Sequence, residues 1–262
     1  MPIAVNLIRE QPHYRRDAFD AGLKRAGYKL QAPTARPGTK EDVLCVWNRS
    51  ASMGSAADAW EARGGTVLVA ENGYVGRDTA GRQFYALSKH GHNGSGSWPI
   101  GDASRWDELG IELKPWCAKE DGHILVPAQR GIGSRSMASP HGWHGKVSGK
   151  LRLSQKRPVV VRAHPMGKKP RVPLENELRG AWCTFTWGSA AAVHSLIFGI
   201  PVVYDAPHFI CEGCCTKGMG SIAAPMMDDE KRLAAMRKMA WAQWSVAELE
   251  SGEPFVHLRE VA

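Results

Sequence analysis

The chain has 262 residues, of which 43% are hydrophobic, and it carries six cysteines and a formal net charge of +8. This length allows one large domain or two modest ones, and no apolar run of about 18 residues predicts a membrane-spanning helix. Residues 1–9 lack the basic and apolar regions of a signal peptide, and six cysteines without such a signal are typical of reduced thiols. These features predict a cytoplasmic protein.

Short β-branched runs alternate with helical patterns in the first part of the chain. Strands are predicted at residues 3–8, 43–47 and 66–70, and helices at residues 13–27 and 52–64. Because this β-α-β-α-β order is typical of a parallel sheet with helices on both faces, the predicted fold class is α/β. Residues 88–101 are rich in Gly, Ser and His and predict a loop.

The strand pattern begins again in the second half of the chain. Strands are predicted at residues 123–127, 158–163, 182–186 and 201–204, and helices at residues 189–198 and 228–244. We therefore predict two Rossmann-like lobes, residues 1–120 and 121–262, whose parallel sheets face a cleft.

Positive charge is concentrated between residues 129 and 180. This stretch contains twelve basic residues and only two acidic ones, Glu175 and Glu177. The basic residues are Arg130, Arg135, Lys146, Lys150, Arg152, Lys156, Arg157, Arg162, Lys168, Lys169, Arg171 and Arg179. Such a focused region attracts a polyanion or a phosphorylated ligand, although a solvated basic face has the same composition.

The first candidate site is the segment Glu71-Asn72-Gly73-Tyr74. Glu71 follows a predicted parallel strand, and ligands of open α/β sheets bind at the carboxyl ends of such strands. Since Gly73 permits a tight turn, the carboxylate can face a ligand and deprotonate a hydroxyl group. A carboxylate that only caps the next segment fits the same spacing.

A second candidate site is His164-Pro165, which follows the strand predicted at residues 158–163. A ring nitrogen at this position can donate a hydrogen bond to a phosphate or a nucleotide, with Arg162, Lys168 and Lys169 nearby in sequence. A loop histidine without a ligand is the alternative.

The third candidate site is the turn between the strand at residues 182–186 and the following helix. Ser189 is a natural N-cap there, and the small residues around it leave the helix N-terminus open to a phosphate or diphosphate. An ordinary capped helix fits equally well. The Gly-rich loop at residues 129–134, which includes Arg130 and Gly131, follows another strand and lacks a P-loop lysine.

Four soft ligands occur close together as His208, Cys211, Cys214 and Cys215. They match one half of a zinc site, but zinc sites usually pair two separated ligand pairs. Ordinary loop thiols are therefore favoured over a metal site.

In their order and spacing, these motifs resemble the bacterial capsular-polysaccharide glycosyltransferases, namely the Kdo transferases and their sialyl- and polysialyltransferase relatives. The resemblance covers about residues 66–210 and rests on the acidic-Gly motif at Glu71, the strand and Gln129 loop, His164-Pro165 and the turn at Ser189. It implies a GT-B fold with no essential metal or other cofactor, an acceptor-side first lobe and a second lobe that binds a nucleotide-sugar donor.

The resemblance also implies roles for individual residues. Glu71 is the expected catalytic base. The expected donor-binding residues are Arg130, Gly131, His164, Pro165, Trp187, Gly188, Ser189 and Ala190. Two positions depart from the family pattern, since Asn72 replaces its second acid and His194 replaces the Glu of its Glu-Ala-Leu motif. Because the chain is short for the family, a phage-encoded enzyme in the host cytoplasm is the expected origin.

The acceptor is expected to contact Asn72, Tyr74, Trp143 and Lys146. Basic groups follow a phosphate backbone and aromatic rings stack on exposed bases, so a hydroxymethylated base in double-stranded DNA is one predicted acceptor. A saccharide acceptor, a non-catalytic nucleic-acid-binding module and a sugar-nucleotide epimerase are the alternatives.

Overall fold

The computed structural model describes residues 1–134, 137–165 and 172–261. The strands are β1 (Ile3–Asn6), β2 (Lys29–Gln31), β3 (Val43–Trp47), β4 (Thr66–Asn72), β5 (Tyr85–Lys89), β6 (His123–Pro127), β7 (Val159–Arg162), β8 (Ala181–Thr186), β9 (Val202–Tyr204), β10 (Thr216–Lys217) and β11 (Gln243–Trp244). The α-helices are α1 (Arg16–Arg25), α2 (Ala51–Glu61), α3 (Ser104–Glu108), α4 (Trp143–Ser154), α5 (Leu174–Leu178), α6 (Ala190–Phe198), α7 (Asp229–Ala240), α8 (Val246–Ser251) and α9 (Glu253–Glu260). Among the described residues, no helix is both long and apolar enough to cross a membrane.

The strands form two sheets in two compact units. Of the described residues, the first unit comprises 1–109, 133–134 and 238–261, and the second comprises 110–132, 137–165 and 172–237. The first sheet has the order β11-β5-β4-β3-β1-β2, and the second has the order β10-β9-β8-β6-β7. The predicted boundary at residue 120 differs from this division, which falls between Leu109 and Gly110, and the segment from Lys238 onward belongs to the first unit.

The first sheet is parallel from β2 to β4 and antiparallel beyond it. Side chains of β4 alternate between two apolar layers, as strand geometry requires. Leu68 and Ala70 pack in the layer that contains residues of α1, α8 and α9, whereas Val67 and Val69 pack with residues of α2. Helices therefore cover both faces, as the fold class predicts.

The C-terminal segment corrects one sequence expectation. The predicted helix at residues 228–244 is shorter, because α7 ends at Ala240 and Gln243–Trp244 form β11, which pairs antiparallel with β5. Trp244 is fully buried, and the Arg105 guanidinium lies 4.1 Å from its ring centre. Packing against the first sheet thus overrides the helical spacing of the apolar residues.

The second sheet is parallel throughout the described residues. One face packs against Trp143, Val147 and Leu151 of α4, and the other packs against Leu178 of α5 and Phe198 of α6. This arrangement confirms the predicted α/β class and the four predicted strands of the second lobe. The sequence analysis missed β5, whose last two residues fall in the loop predicted at residues 88–101.

Candidate functional site

Glu71 is the next-to-last residue of β4, at the carboxyl end of the parallel part of the first sheet. It points to the same side as Val67 and Val69, because side chains two residues apart share a face. Its side chain is only 20% exposed. Burial raises the pKa of the Glu71 carboxyl above its usual value, against smaller opposing effects of His92 and of a Tyr74 hydrogen bond. A carboxylate whose pKa is raised in this way binds a proton more tightly than an exposed glutamate does.

Two side chains from the first unit contact this carboxylate. His92 Nε2 lies 3.7 Å from Glu71 Oε2, and the Tyr74 side chain forms a hydrogen bond with Glu71. The Tyr74 hydroxyl also accepts a hydrogen bond of 3.3 Å from the backbone N–H of Asn93. We refer to Glu71, His92 and Tyr74 as the carboxylate cluster.

Tyr74 and Asn72, both expected to contact the acceptor, differ in their exposure. Tyr74 is 6% exposed, so it is packed beside Glu71 and is not available to stack on an acceptor. Asn72 is exposed, and its Oδ1 accepts a hydrogen bond of 3.2 Å from Gln83. The Asn72 side chain is therefore accessible to solvent, whereas the ring of Tyr74 is not.

The turn after Glu71 is fixed by close backbone contacts. A Cβ atom on Gly73 would lie 2.7 Å from the carbonyl oxygen of Phe84, so glycine is needed here for close approach. The buried Gln243 side chain accepts from the N–H groups of Tyr74 and Val75 and donates to the carbonyl of Val75. The C-terminal segment thus holds the loop that carries Tyr74 of the carboxylate cluster.

The carboxyl ends of β6, β7 and β8 form the second candidate region, because β6 pairs in parallel with both neighbours. An open depression of about 490 Å³ lies there, and its lining includes Arg130, His144 and His164. The loop after β6 and the His-Pro segment after β7 therefore lie together at this edge of the sheet. Gly131 has a φ of 64° in this loop, a conformation that favours glycine.

His164 and Pro165 are exposed at this edge. Partial burial, followed by the positive charge of Arg130, lowers the pKa of His164 below its usual value. The ring is therefore more readily neutral than an isolated histidine, and it can offer one donor and one acceptor nitrogen. Arg162, by contrast, is bonded to Glu177 and to the carbonyl of Val172, so it is not free for a phosphate.

The turn after β8 has the predicted capping geometry. The Ser189 hydroxyl accepts a hydrogen bond of 3.2 Å from the N–H of Ala191, and the Ser189 N–H donates 2.9 Å to the hydroxyl of buried Thr186. Ala190 is exposed at the start of α6, and Trp187 and Gly188 are half-buried before it. The Trp187 indole donates to the carbonyl of Met137, which anchors the turn.

Trp143 is not the exposed loop residue that the sequence analysis expects. It begins α4, is 5% exposed, and packs against Phe185 and Trp187. Its indole N–H donates 3.1 Å to Asp205. The apolar contacts of the ring outweigh the basic, Gly-containing surroundings on which the expectation rested. Lys146, one turn further along, is exposed as expected.

The cysteine-rich segment has the properties of buried thiols. Cys211, Cys214 and Cys215 are all buried, whereas His208 is exposed. Burial raises the pKa of Cys211 and Cys215 well above the usual thiol value, which disfavours the thiolate that a metal requires. Over the described ranges, no group of three or more His, Cys, Asp or Glu side chains is arranged to hold a metal ion. Arg135, Lys168, Lys169 and Arg171 of the basic stretch lie outside the described residues.

No protein-family model matches the chain, and no curated protein matches it. Two solved structures share its architecture at 13% sequence identity. One is the beta Kdo 2,4 transferase of Thermosulfurimonas dismutans KpsC, with a TM-score of 0.54 and coverage of 90% of each chain. The other is the beta Kdo 2,7 transferase of the same protein, with a TM-score of 0.58 and coverage of 99% of this chain and 100% of that chain.

The fold is GT-B-like. At this level of identity the two structures establish the architecture alone. Sequence reasoning missed two residues at the candidate sites, His92 and His144. His92 was hidden in a Gly- and Ser-rich loop, and its only sequence signal was a histidine among small residues. His144 is the second residue of α4, and this position places it in the lining of the second depression.

Proposed function

We propose that the protein transfers a sugar from a nucleotide-sugar donor to a hydroxyl group of a saccharide acceptor. The observation that carries the proposal is the largely buried Glu71 carboxylate with a raised pKa at the carboxyl end of the first parallel sheet. The GT-B-like fold and the Kdo transferase activity of its two structural neighbours support it.

Glu71 serves as the general base in this reaction. It accepts the proton of the acceptor hydroxyl while the hydroxyl oxygen forms a bond to the anomeric carbon of the donor. The bond from that carbon to the nucleotide phosphate breaks, and the electron pair leaves with the phosphate. Because burial raises the pKa of Glu71, the group holds the transferred proton more tightly than an exposed glutamate would.

The depression in the second lobe binds the donor's nucleotide and phosphates. Arg130 supplies a fixed positive charge, while His144 and His164 supply ring nitrogens. The exposed start of α6 at Ala190 adds backbone N–H groups and the positive end of a helix dipole. Five further residues are proposed to contribute to donor binding through the backbone that they position, namely Gly131, Pro165, Trp187, Gly188 and Ser189.

We favour a saccharide over DNA as the acceptor because Trp143 is buried. The DNA proposal needs an aromatic ring that can stack on a base, and the ring of Trp143 is packed in the second core. The exposed Lys146 is equally suited to an anionic saccharide.

The experiment is intact-mass analysis of acceptors after incubation with CMP-, UDP- and GDP-sugars. Saccharides and duplex DNA, plain or hydroxymethylated, serve as acceptors, and Glu71→Gln protein is the matched control. A sugar-sized mass gain on a saccharide, absent with Glu71→Gln, is expected. A gain only on hydroxymethylated nucleosides would make DNA the acceptor. Conversion of the donor to an isomer would indicate an epimerase, and salt-sensitive DNA binding without any sugar transfer would indicate a non-catalytic module.

A further inference from the structure

His92 is enclosed although it belongs to a loop of small, polar residues. In the sequence, His92 follows β5 and precedes Trp98, and its side chain is only 8% exposed. The ring is directed at the carboxylate cluster, with Nε2 3.7 Å from Oε2 of Glu71. Neighbouring His90 behaves differently, because its side chain is 50% exposed and contacts Glu61 instead. The two histidines of one loop therefore have different environments.

The other ring nitrogen of His92 has no hydrogen-bond partner among the described residues. Nδ1 is buried, and no group in the described part of the chain forms a hydrogen bond with it. A buried polar atom without a partner costs free energy, about 1–3 kcal/mol. Such atoms are uncommon in native proteins, and those that occur often mark functional sites. Stability alone therefore does not explain why a histidine, with its second nitrogen, occupies this position.

The loop conformation holds the ring in place. The backbone N–H of His92 donates 3.2 Å to the Ser95 hydroxyl, which itself donates 2.7 Å to the carbonyl of His92. On either side, His90 and Asn93 have φ values of 67° and 50°, which are unfavourable for non-glycine residues. Strained residues of this kind persist where the surrounding structure fixes them, often beside functional sites.

We propose that His92 is a positioning residue that holds Oε2 of Glu71 and thereby aims the carboxylate at the acceptor hydroxyl. The effect on catalysis rests on the proposed function, whereas the effect of His92 on the pKa of Glu71 does not. Because Nδ1 is buried, the ring acts through Glu71 and does not touch the acceptor. Tyr74 holds the same carboxylate from its own loop.

The contact has a defined electrostatic effect. The titratable groups that act on Glu71 within the described residues are His92 and Tyr74, and both favour its ionised form against the larger effect of burial. Removing the imidazole takes away one of the two groups that lower the pKa of Glu71, so burial should then raise this pKa further. The Glu71 carboxyl would then take up its proton at higher pH than in the wild-type protein.

The first test is titration of the full-length protein, labelled with ¹³C in its glutamate carboxyl groups, by NMR. The Glu71 resonance is assigned by its loss in Glu71→Gln. In His92→Gln, the Glu71 midpoint should move to higher pH, whereas in the matched control His90→Gln it should not move. An unchanged midpoint in folded His92→Gln would overturn the inference whether or not the protein transfers sugars. If His92→Gln does not fold, His92→Asn is measured in the same way.

The second test uses turnover with the donor and acceptor found by the mass analysis. His92→Gln should lower kcat about 10-fold, with donor KM unchanged, and should shift the acidic limb of the kcat–pH profile to higher pH. If His92 had only a structural role, His92→Gln would be less stable but would keep the acidic limb of the profile at the same pH. That result would contradict the inference. If the wild-type protein turns over no donor, the proposed function fails, while the NMR result still decides the electrostatic contact.

Discussion

The carboxyl ends of the two sheets are built from the same kind of parallel strands but differ in charge and burial. At the first, the carboxylate cluster is enclosed, and burial raises the pKa of Glu71. At the second, Arg130 and His164 are exposed around an open depression. An enclosed acid suits proton transfer, whereas an exposed guanidinium beside an exposed imidazole suits the binding of an anionic ligand. Similar strand edges in the two units therefore present different chemistry, because they differ in both charge and burial.

The largest expected effect concerns the packing beneath the second region. Trp143→Ala should lower the free energy of unfolding by about 3–5 kcal/mol, because it empties a buried aromatic site and leaves Asp205 without its indole partner. Urea denaturation measures this change. Lys146→Ala, on the exposed side of the same helix, is the control and should change stability by less than about 0.5 kcal/mol. A loss below about 1 kcal/mol for Trp143→Ala would show that the ring is not part of the core.

The next effect concerns chemistry at the first region. Glu71→Gln should lower kcat about 100-fold or more, with the donor Kd unchanged, because the amide keeps the shape of the side chain but cannot accept the proton. Steady-state turnover and calorimetric donor binding separate the two quantities. Equal turnover in the variant and the wild-type protein would remove Glu71 from the mechanism.

A smaller effect is expected on donor binding at the second region. Arg130→Ala and His164→Ala should each weaken donor binding by about 1.5–3 kcal/mol, roughly 10- to 150-fold in Kd, as contacts to charged phosphates are lost. The control is Lys150→Ala, which removes an exposed positive charge from α4. If all three variants weaken donor binding equally, the overall positive charge of the second unit attracts the donor, and contacts in this depression do not.

The smallest expected effect is on the pH dependence of stability. The folded-state pKa of Glu71 lies above its unfolded value, so the folded state binds the proton more tightly. Stability is therefore lost as the pH rises from the ordinary carboxyl pKa through the raised one. Glu71→Gln cannot ionise, so it should have a higher Tm than the wild-type protein at pH 8 and a similar Tm at pH 4. A lower Tm at pH 8 would contradict the burial argument.

The sequence predicts the fold well because buried parallel strands and capped helices carry local signals. The apolar runs of β3, β4, β6 and β8 and the Ser189 cap are examples of such signals. The position of β11 was not predictable in this way, since Gln243–Trp244 pair with a strand more than 150 residues away. Local spacing carries no information about such a pairing.

Part of the candidate site was also readable from the sequence, and part was not. Glu71 and His164 each follow a buried strand, so strand order alone predicts that they lie at sheet edges. The burial of Trp143 and the approach of His92 to Glu71 depend on how loops and helices pack. Those contacts arise from tertiary structure, which a pattern of residue types does not encode locally.

The most direct test of the division between the two regions is hydrogen–deuterium exchange of the full chain with millimolar CMP, UDP or GDP. The account predicts that the nucleotide that binds best slows exchange at residues 128–134, 163–165 and 187–190, where the strands of the second sheet end, and leaves residues 71–75 unchanged. Protection confined to residues 71–75, or no protection by any of the three nucleotides, would contradict it.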